Sequence, residues 1–138
     1  MSNDKKFLQK AFIKHLKEFY DDLIILYPDN IELKTGRTWI KSLEFMNPSF
    51  IPKGWHHWVT VPYGNEILKG TLDKMLEKNY VKDFKEYFGD KKTEKEINDY
   101  DDWTLEIKKQ IKKMDSNNQK KSLKYLQNLC KLSTLYVN

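Results

Sequence analysis

The chain is poor in cysteine, arginine, glycine and proline, and each shortage narrows what it can be. A single cysteine, Cys130, among 138 residues excludes an internal disulfide and indicates a reducing compartment. Five glycines and four prolines leave little scope for long irregular segments. Arg37 is the only arginine, so the sequence offers little of the planar fork that reads base edges in nucleic acids.

Long hydrophobic runs and targeting signals are also missing. No apolar stretch approaches the roughly 20 residues that a membrane-spanning helix needs. The first residues, Met1-Ser2-Asn3-Asp4-Lys5-Lys6, lack the apolar centre of a signal peptide. We therefore expect a soluble protein that is intracellular and cytoplasmic, with no membrane partner.

What the chain does have is charge and aromatic side chains. Charged residues make up 33% and aromatic residues 14%, with a formal net charge of +5. Aromatic side chains bury large areas, which disordered chains lack, so a packed core is expected. At this length the simplest organisation is one helical domain over residues 1–138.

The first part of the chain has the spacing of two amphipathic helices. Apolar residues recur every three or four positions over residues 4–27, which predicts a helix that ends before Pro28. Asp29 or Asn30 can cap a second helix. Gly36 lies inside this second helix and leaves open whether it is one piece or two. Its apolar residues are Ile31, Trp39, Ile40, Leu43 and Met46.

The central stretch, residues 47–88, gathers aromatic residues and prolines and is expected to fill the core. The segment Trp55-His56-His57-Trp58-Val59-Thr60-Val61 fits either a helix or a short strand. We favour a helix that starts near Pro52 and is kinked or ended at Pro62, because the rest of the chain offers no second strand.

A further apolar stripe from Leu72 to Phe88 predicts another helix, which Gly89 would end. Asn79 lies inside it and leaves open whether the helix is broken there. The polar residues 89–93 that follow are the candidate sub-boundary within the domain. Thr93 and Glu96 have the spacing of a capping box and mark the start of the next helix.

Two helices of similar length close the chain. Ile107, Ile111 and Met114 lie on the first, and Leu123 to Tyr136 belong to the second. The residues Asp115-Ser116-Asn117-Asn118 between them are typical of a turn. A short connection favours an antiparallel arrangement. The predicted fold is therefore all-α, an irregular bundle of five or six helices with a C-terminal antiparallel helical hairpin.

Lysines concentrate in this hairpin, opposed between residues 108 and 131 by Asp115 alone. Pairs such as Lys108 with Lys112 are one helical turn apart and would form a patch. Such a patch could neutralise phosphates without reading a sequence, although charge runs are usually solvated faces. The candidate nucleic-acid-binding residues are Lys108, Lys109, Lys112, Lys113, Lys120, Lys121 and Lys124.

No pattern in the sequence specifies catalysis, a cofactor or a metal. Neighbouring residues on a helix point about 100° apart, so His56 and His57 cannot share one metal ion. We expect one of them to be structural and the other exposed. Cys130 lies on an apolar helical face and is expected to be buried and inert. The sequence therefore predicts no catalytic, cofactor-binding or metal-ligating residue, and a protein that is not an enzyme.

A series of short motifs resembles the short helical proteins of large nucleocytoplasmic DNA viruses. The motifs are Tyr27-Pro28, Asn47-Pro48, Trp58-Val59-Thr60-Val61-Pro62-Tyr63 and Leu76-Glu77-Lys78-Asn79-Tyr80. The resemblance implies an intracellular, reducing setting in a virion or at a viral replication site. It implies no catalytic residues.

Two functions are consistent with these observations. The first is a non-enzymatic structural or protein-interaction module, which binds another protein or itself through a helical face. The alternative is sequence-independent binding of nucleic acid through the lysines of residues 108–124.

Overall fold

The computed structural model describes residues 3–77 and 106–138, and all regular structure in these two ranges is helical. The elements and their bounds are α1 Asn3–Leu26, α2 Ile31–Met46, α3 Phe50–Trp55, a π-helical turn His56–Thr60, α4 Val61–Lys69, α5 Asp73–Glu77 and α7 Ser116–Val137. The helical residues 106–113, which precede α7, are labelled α6. The prediction of an all-α bundle is confirmed.

Helix α1 is the centre of the bundle and packs between α2 and α7. Its inner face buries Phe12, Leu16 and Phe19, at the spacing that the sequence predicts. Helix α7 runs antiparallel to it, because Tyr136 Oη near the end of α7 donates to Gln9 Oε1 near the start of α1, at 3.0 Å.

Helix α2 is one continuous helix. Its N-terminus is capped by Asn30, whose side-chain oxygen accepts a hydrogen bond from Leu33 N at 3.0 Å. Gly36 does not divide it. A Cβ at this position would lie only 3.0 Å from Cε1 of the buried Tyr20, so glycine allows α1 and α2 to approach closely.

Residues 50–69 are helical throughout, so the strand alternative for residues 55–61 is wrong. The helix begins at Phe50, slightly before the predicted start, because Pro52 fits the first turn, where its missing N–H has no helical acceptor. Pro62 does not end it. The π-helical turn precedes Pro62, with Val61 N bonded to His56 O, and its wider spacing accommodates the proline ring.

The C-terminal hairpin is antiparallel, as predicted, but its turn is shorter. Asp115 caps α7 by accepting from Asn118 N at 2.8 Å, so the helix already begins at Ser116. Gln119 Nε2 then donates to Ile111 O at 3.0 Å and joins the two helices.

Three predicted features lie outside the described residues. They are the helix end at Gly89, the loop 89–93 and the capping box of Thr93 and Glu96. In the part of the chain that is described, no helix combines the length and the apolar character needed to cross a membrane.

Candidate interaction surfaces

The π-helical turn is tied to α7 by a small polar cluster. Ser133 Oγ lies 2.7 Å from Thr60 Oγ1, 3.2 Å from His56 Nδ1 and 3.0 Å from Cys130 O. The Cys130 carbonyl can only accept, so this bond uses the single Ser133 hydroxyl proton. Ser133 Oγ then accepts from Thr60 and from His56, which assigns the imidazole proton to Nδ1.

This cluster fits a structural tether better than a reactive centre. Ser133 and the Cys130 side chain are fully buried, so neither offers a surface to a substrate. Burial raises the pKa of the Cys130 thiol, and the neighbouring Thr60 and Trp55 side chains only partly oppose this. The prediction of a buried cysteine is confirmed.

The two adjacent histidines have different environments. His57 is exposed, whereas His56 is half-buried and contacts Ser133. Burial and the neighbouring His57 lower the pKa of His56. This agrees with one structural and one exposed imidazole. Within the described ranges, no three histidine, cysteine, aspartate or glutamate side chains come together as a metal site would require.

Six of the seven candidate lysines lie on the outer surface of the hairpin. They are Lys109, Lys112, Lys113, Lys120, Lys121 and Lys124. Among the described residues, none of these six forms an ion pair. Within residues 3–77 and 106–138, no carboxylate neutralises these six charges.

Lys108 is different. Only 3% of its surface is exposed, and Lys108 Nζ lies 4.9 Å from the centroid of the Tyr63 ring. Its aliphatic stem belongs to the apolar interior beside Ile107. Lys108 therefore cannot contribute to an exposed phosphate-binding patch.

A shallow groove lies between the end of α1 and the start of α7. Its volume is about 200 Å³, with Leu23 and Leu26 in its apolar wall and Asp22 and Lys121 among its polar residues. Asp22 Oδ2 is occupied by Tyr125 Oη at 2.5 Å. The groove is smaller than the roughly 300 Å³ at which ligand pockets begin, so it suits a single side chain rather than a whole ligand.

A further surface is the outward face of α2, which the sequence analysis did not identify. Five exposed residues follow one another along it at alternating steps of four and three. This is the spacing at which one helix packs against another. We call this row the α2 seam: Ile31, Thr35, Thr38, Ser42 and Phe45.

The α2 seam carries no charge and exposes large apolar groups. Phe45 is 91% exposed and Ile31 is 73% exposed, one near each end of the helix. Thr38 Oγ1 donates to Lys34 O at 3.1 Å, so its hydroxyl is already satisfied by its own helix. A partner could therefore cover this hydroxyl without leaving it unpaired.

The two edges of the α2 seam differ in chemistry. One edge carries Trp39 and Met46, which are both exposed. Trp39 continues into an edge-to-face row with Phe50, at a centroid distance of 6.4 Å, and Phe50 contacts Trp58 at 5.8 Å. This edge is aromatic.

The other edge is basic. Lys34 and Lys41 lie on it, each three residues before a side chain that pairs with α1. Those pairs are Arg37 with Asp21 and Glu44 with Lys17, both at 2.9 Å. Because the two carboxylates are neutralised, Lys34 and Lys41 give this edge a net positive charge among the described residues.

Comparison of the chain with family models, curated proteins and solved structures finds no match.

Proposed function

We propose that this protein is a non-enzymatic interaction module that binds a protein partner through the α2 seam. The observation that carries the proposal is an exposed, uncharged row of residues at helix-packing spacing. Large apolar side chains exposed on one helix face favour a protein contact, and aromatic residues and methionine are enriched in such contacts. Trp39 and Met46 beside the seam fit that composition.

A selection experiment tests the proposal with a matched pair of variants. Helical peptides displayed in a library are selected on the wild-type chain and then tested against Thr38→Glu and Thr134→Glu. Both threonines are exposed on helices, and each donates its hydroxyl to a carbonyl four residues earlier. Both substitutions therefore remove the same kind of local contact, a hydrogen bond from a threonine hydroxyl to the carbonyl four residues earlier.

The expected result is a set of peptides that bind the wild type and Thr134→Glu but lose at least tenfold in affinity for Thr38→Glu. A buried, unpaired carboxylate in the middle of the contact would cause that loss. Peptides that bind all three proteins equally would contradict the proposal. Circular dichroism of both variants verifies that the fold is retained.

The second candidate function is sequence-independent binding of nucleic acid. It is favoured by the six exposed lysines of the hairpin, which have no ion-pair partner in the described part of the chain. Neutralising phosphates releases counterions, so the affinity for duplex or single strand should fall steeply with salt. With all six lysines engaged, the slope of log K against log salt would be about −5.

The control for this second function keeps the change in charge constant. Replacing Lys112, Lys113, Lys120 and Lys121 by glutamine should abolish binding and leave the melting temperature unchanged. Glutamine at four exposed lysines elsewhere should have little effect. Those control positions are Lys6, Lys10, Lys14 and Lys53. Absence of binding even at low salt would eliminate this function.

The setting of the protein is part of the proposal. The resemblance to viral helical proteins supports an intracellular role in a virion or at a viral replication site. Mass spectrometry of purified virus particles and of infected-cell fractions would test it, and absence from both would contradict it.

A further inference from the structure

We propose that the partner seated on the α2 seam is an amphipathic helix that carries carboxylates along one edge of its apolar stripe. This inference rests on the proposed function and adds the chemistry of the partner. It follows from the shape of the seam and from the difference between its two edges.

The shape of the seam fits a helix. Its bulky residues, Ile31 and Phe45, lie near the two ends of α2, and the small side chains Thr35, Thr38 and Ser42 lie between them. Small residues at a helix contact let two helical backbones approach, while the bulky ends pack around the partner. With 16 residues, α2 is about 24 Å long, which gives a partner helix four turns to contact.

The charges select the composition of the partner. Lys34 and Lys41 are seven residues apart on the same edge, at the positions from which side chains reach across a helix pair. A partner with glutamate or aspartate on that side would pair with both. On the opposite edge, Trp39 and Met46 offer apolar contacts, and Glu32 at the first turn is its only charged residue. The partner is therefore acidic on one side only.

A second copy of this chain fits the seam less well. Two copies that meet through α2 bring four lysines to the contact. Of the carboxylates on α2, Glu44 pairs with Lys17, whereas Glu32 forms no ion pair with any described residue. Each copy also has a formal net charge of +5, which opposes association. The charges favour an acidic partner instead.

Two designed peptides test the inference. Both are 18-residue helices with the same leucine stripe; one has glutamate on one flank of the stripe and the other has lysine there. Each is labelled with a fluorophore and titrated with the full chain, and binding is followed by anisotropy. Two exposed ion pairs should give the glutamate peptide about fivefold higher affinity at low salt, and the difference should shrink as salt is added.

Charge reversal is the sharpest test. The double variant Lys34→Glu with Lys41→Glu should reverse the preference and bind the lysine peptide more tightly. The matched control is Lys124→Glu with Lys131→Glu, two exposed lysines of α7 that are also seven residues apart. This control should keep the preference for the glutamate peptide.

The outcomes separate the two proposals. If both peptides bind equally and Thr38→Glu abolishes the binding of both, the proposal of an acidic partner helix fails. The proposal that the α2 seam binds a protein partner is then retained. If both bind and Thr38→Glu changes nothing, the seam is not the binding surface and both proposals fail. If neither peptide binds, the proposal of an acidic partner helix fails. The library selection described above then tests whether the α2 seam binds any helical partner. A dimer in sedimentation experiments that Thr38→Glu dissociates would identify the occupant as a second copy.

Discussion

The hydroxyls of Thr60 and Ser133 lie 2.7 Å apart and join the π-helical turn to the last helix. Ser133 also contacts His56 Nδ1 and Cys130 O, so one buried hydroxyl serves three partners. This arrangement fixes the position of residues 56–60, where an α-helix would otherwise meet a proline.

Removing that hydroxyl should therefore destabilise the fold. We expect Ser133→Ala to lower the free energy of unfolding by about 1–2 kcal/mol, because His56 and Thr60 lose their buried partner. Urea unfolding followed by circular dichroism measures the change. Ser42 is exposed, so the free energy of unfolding of Ser42→Ala should stay within about 0.5 kcal/mol of the wild-type value. Equal stability of Ser133→Ala and the wild type would contradict the tether.

The close approach of α1 and α2 makes a second prediction. Alanine is normally about 1 kcal/mol better than glycine inside a helix. At Gly36, however, the new Cβ would lie 3.0 Å from the ring of Tyr20, which is buried and cannot move away. We expect Gly36→Ala to destabilise the protein by about 1 kcal/mol net, because overpacking exceeds the gain in helix propensity.

The control for this change is in the same helix. Thr35 is exposed, so Thr35→Ala should raise the free energy of unfolding by a few tenths of a kcal/mol through helix propensity alone. If Gly36→Ala stabilises the protein as Thr35→Ala does, the contact between Gly36 and Tyr20 is looser than described.

Two histidines predict a loss of stability in weak acid. Burial lowers the pKa of His15, partly opposed by Glu18, and burial together with His57 lowers the pKa of His56. His15 Nε2 is buried without a hydrogen-bond partner among the described residues, which accounts for the cost of charging it. The unfolded chain therefore takes up protons at a pH where the folded chain does not.

The sign follows from that difference. The contribution of both histidines to stability is complete above pH 6.5, the ordinary histidine value, and is lost as the pH falls through the lowered pKa values of the folded state. Thermal unfolding between pH 7.5 and 5 should show a falling melting temperature. The double variant His15→Gln with His56→Asn should show a smaller fall in melting temperature over this pH range. A fall as large as that of the wild type would contradict the assignment of the effect to these two histidines.

The thiol of Cys130 should be unreactive in the folded protein. It is buried, and burial raises its pKa, so little thiolate is present or accessible at pH 8. A thiol-specific chromogenic disulfide should react at least a hundredfold more slowly with the native chain than with the chain in urea. Rapid reaction of the native chain would show that α7 opens at this point.

Much of the fold can be predicted from the sequence, because a single apolar stripe reports burial directly. Residues 4–27 and the hairpin around Asp115 are of this kind. The π-helical turn could not be predicted, because it depends on Pro62 and Ser133, which are distant in sequence. Local spacing contains no information on such contacts.

The candidate site was hidden for a different reason. Helix α2 has apolar residues on two sides, with Leu33 and Ile40 facing the core and the α2 seam facing outward. If every apolar residue of α2 is assigned to the core, the buried side and the exposed side of the helix cannot be told apart. The heptad-like spacing from Ile31 to Phe45 was the available signal. Lys108 is the opposite case, a charged residue that is buried. Only the fold reveals that its Nζ lies over the Tyr63 ring.

The proposed docking of a helix with one acidic edge on the α2 seam can be tested residue by residue. The most direct measurement is a nuclear magnetic resonance titration of the isotope-labelled full chain with the glutamate peptide. We expect the largest amide shift changes at Thr35, Thr38 and Ser42. Changes centred on α7, or none at saturating peptide, would contradict it.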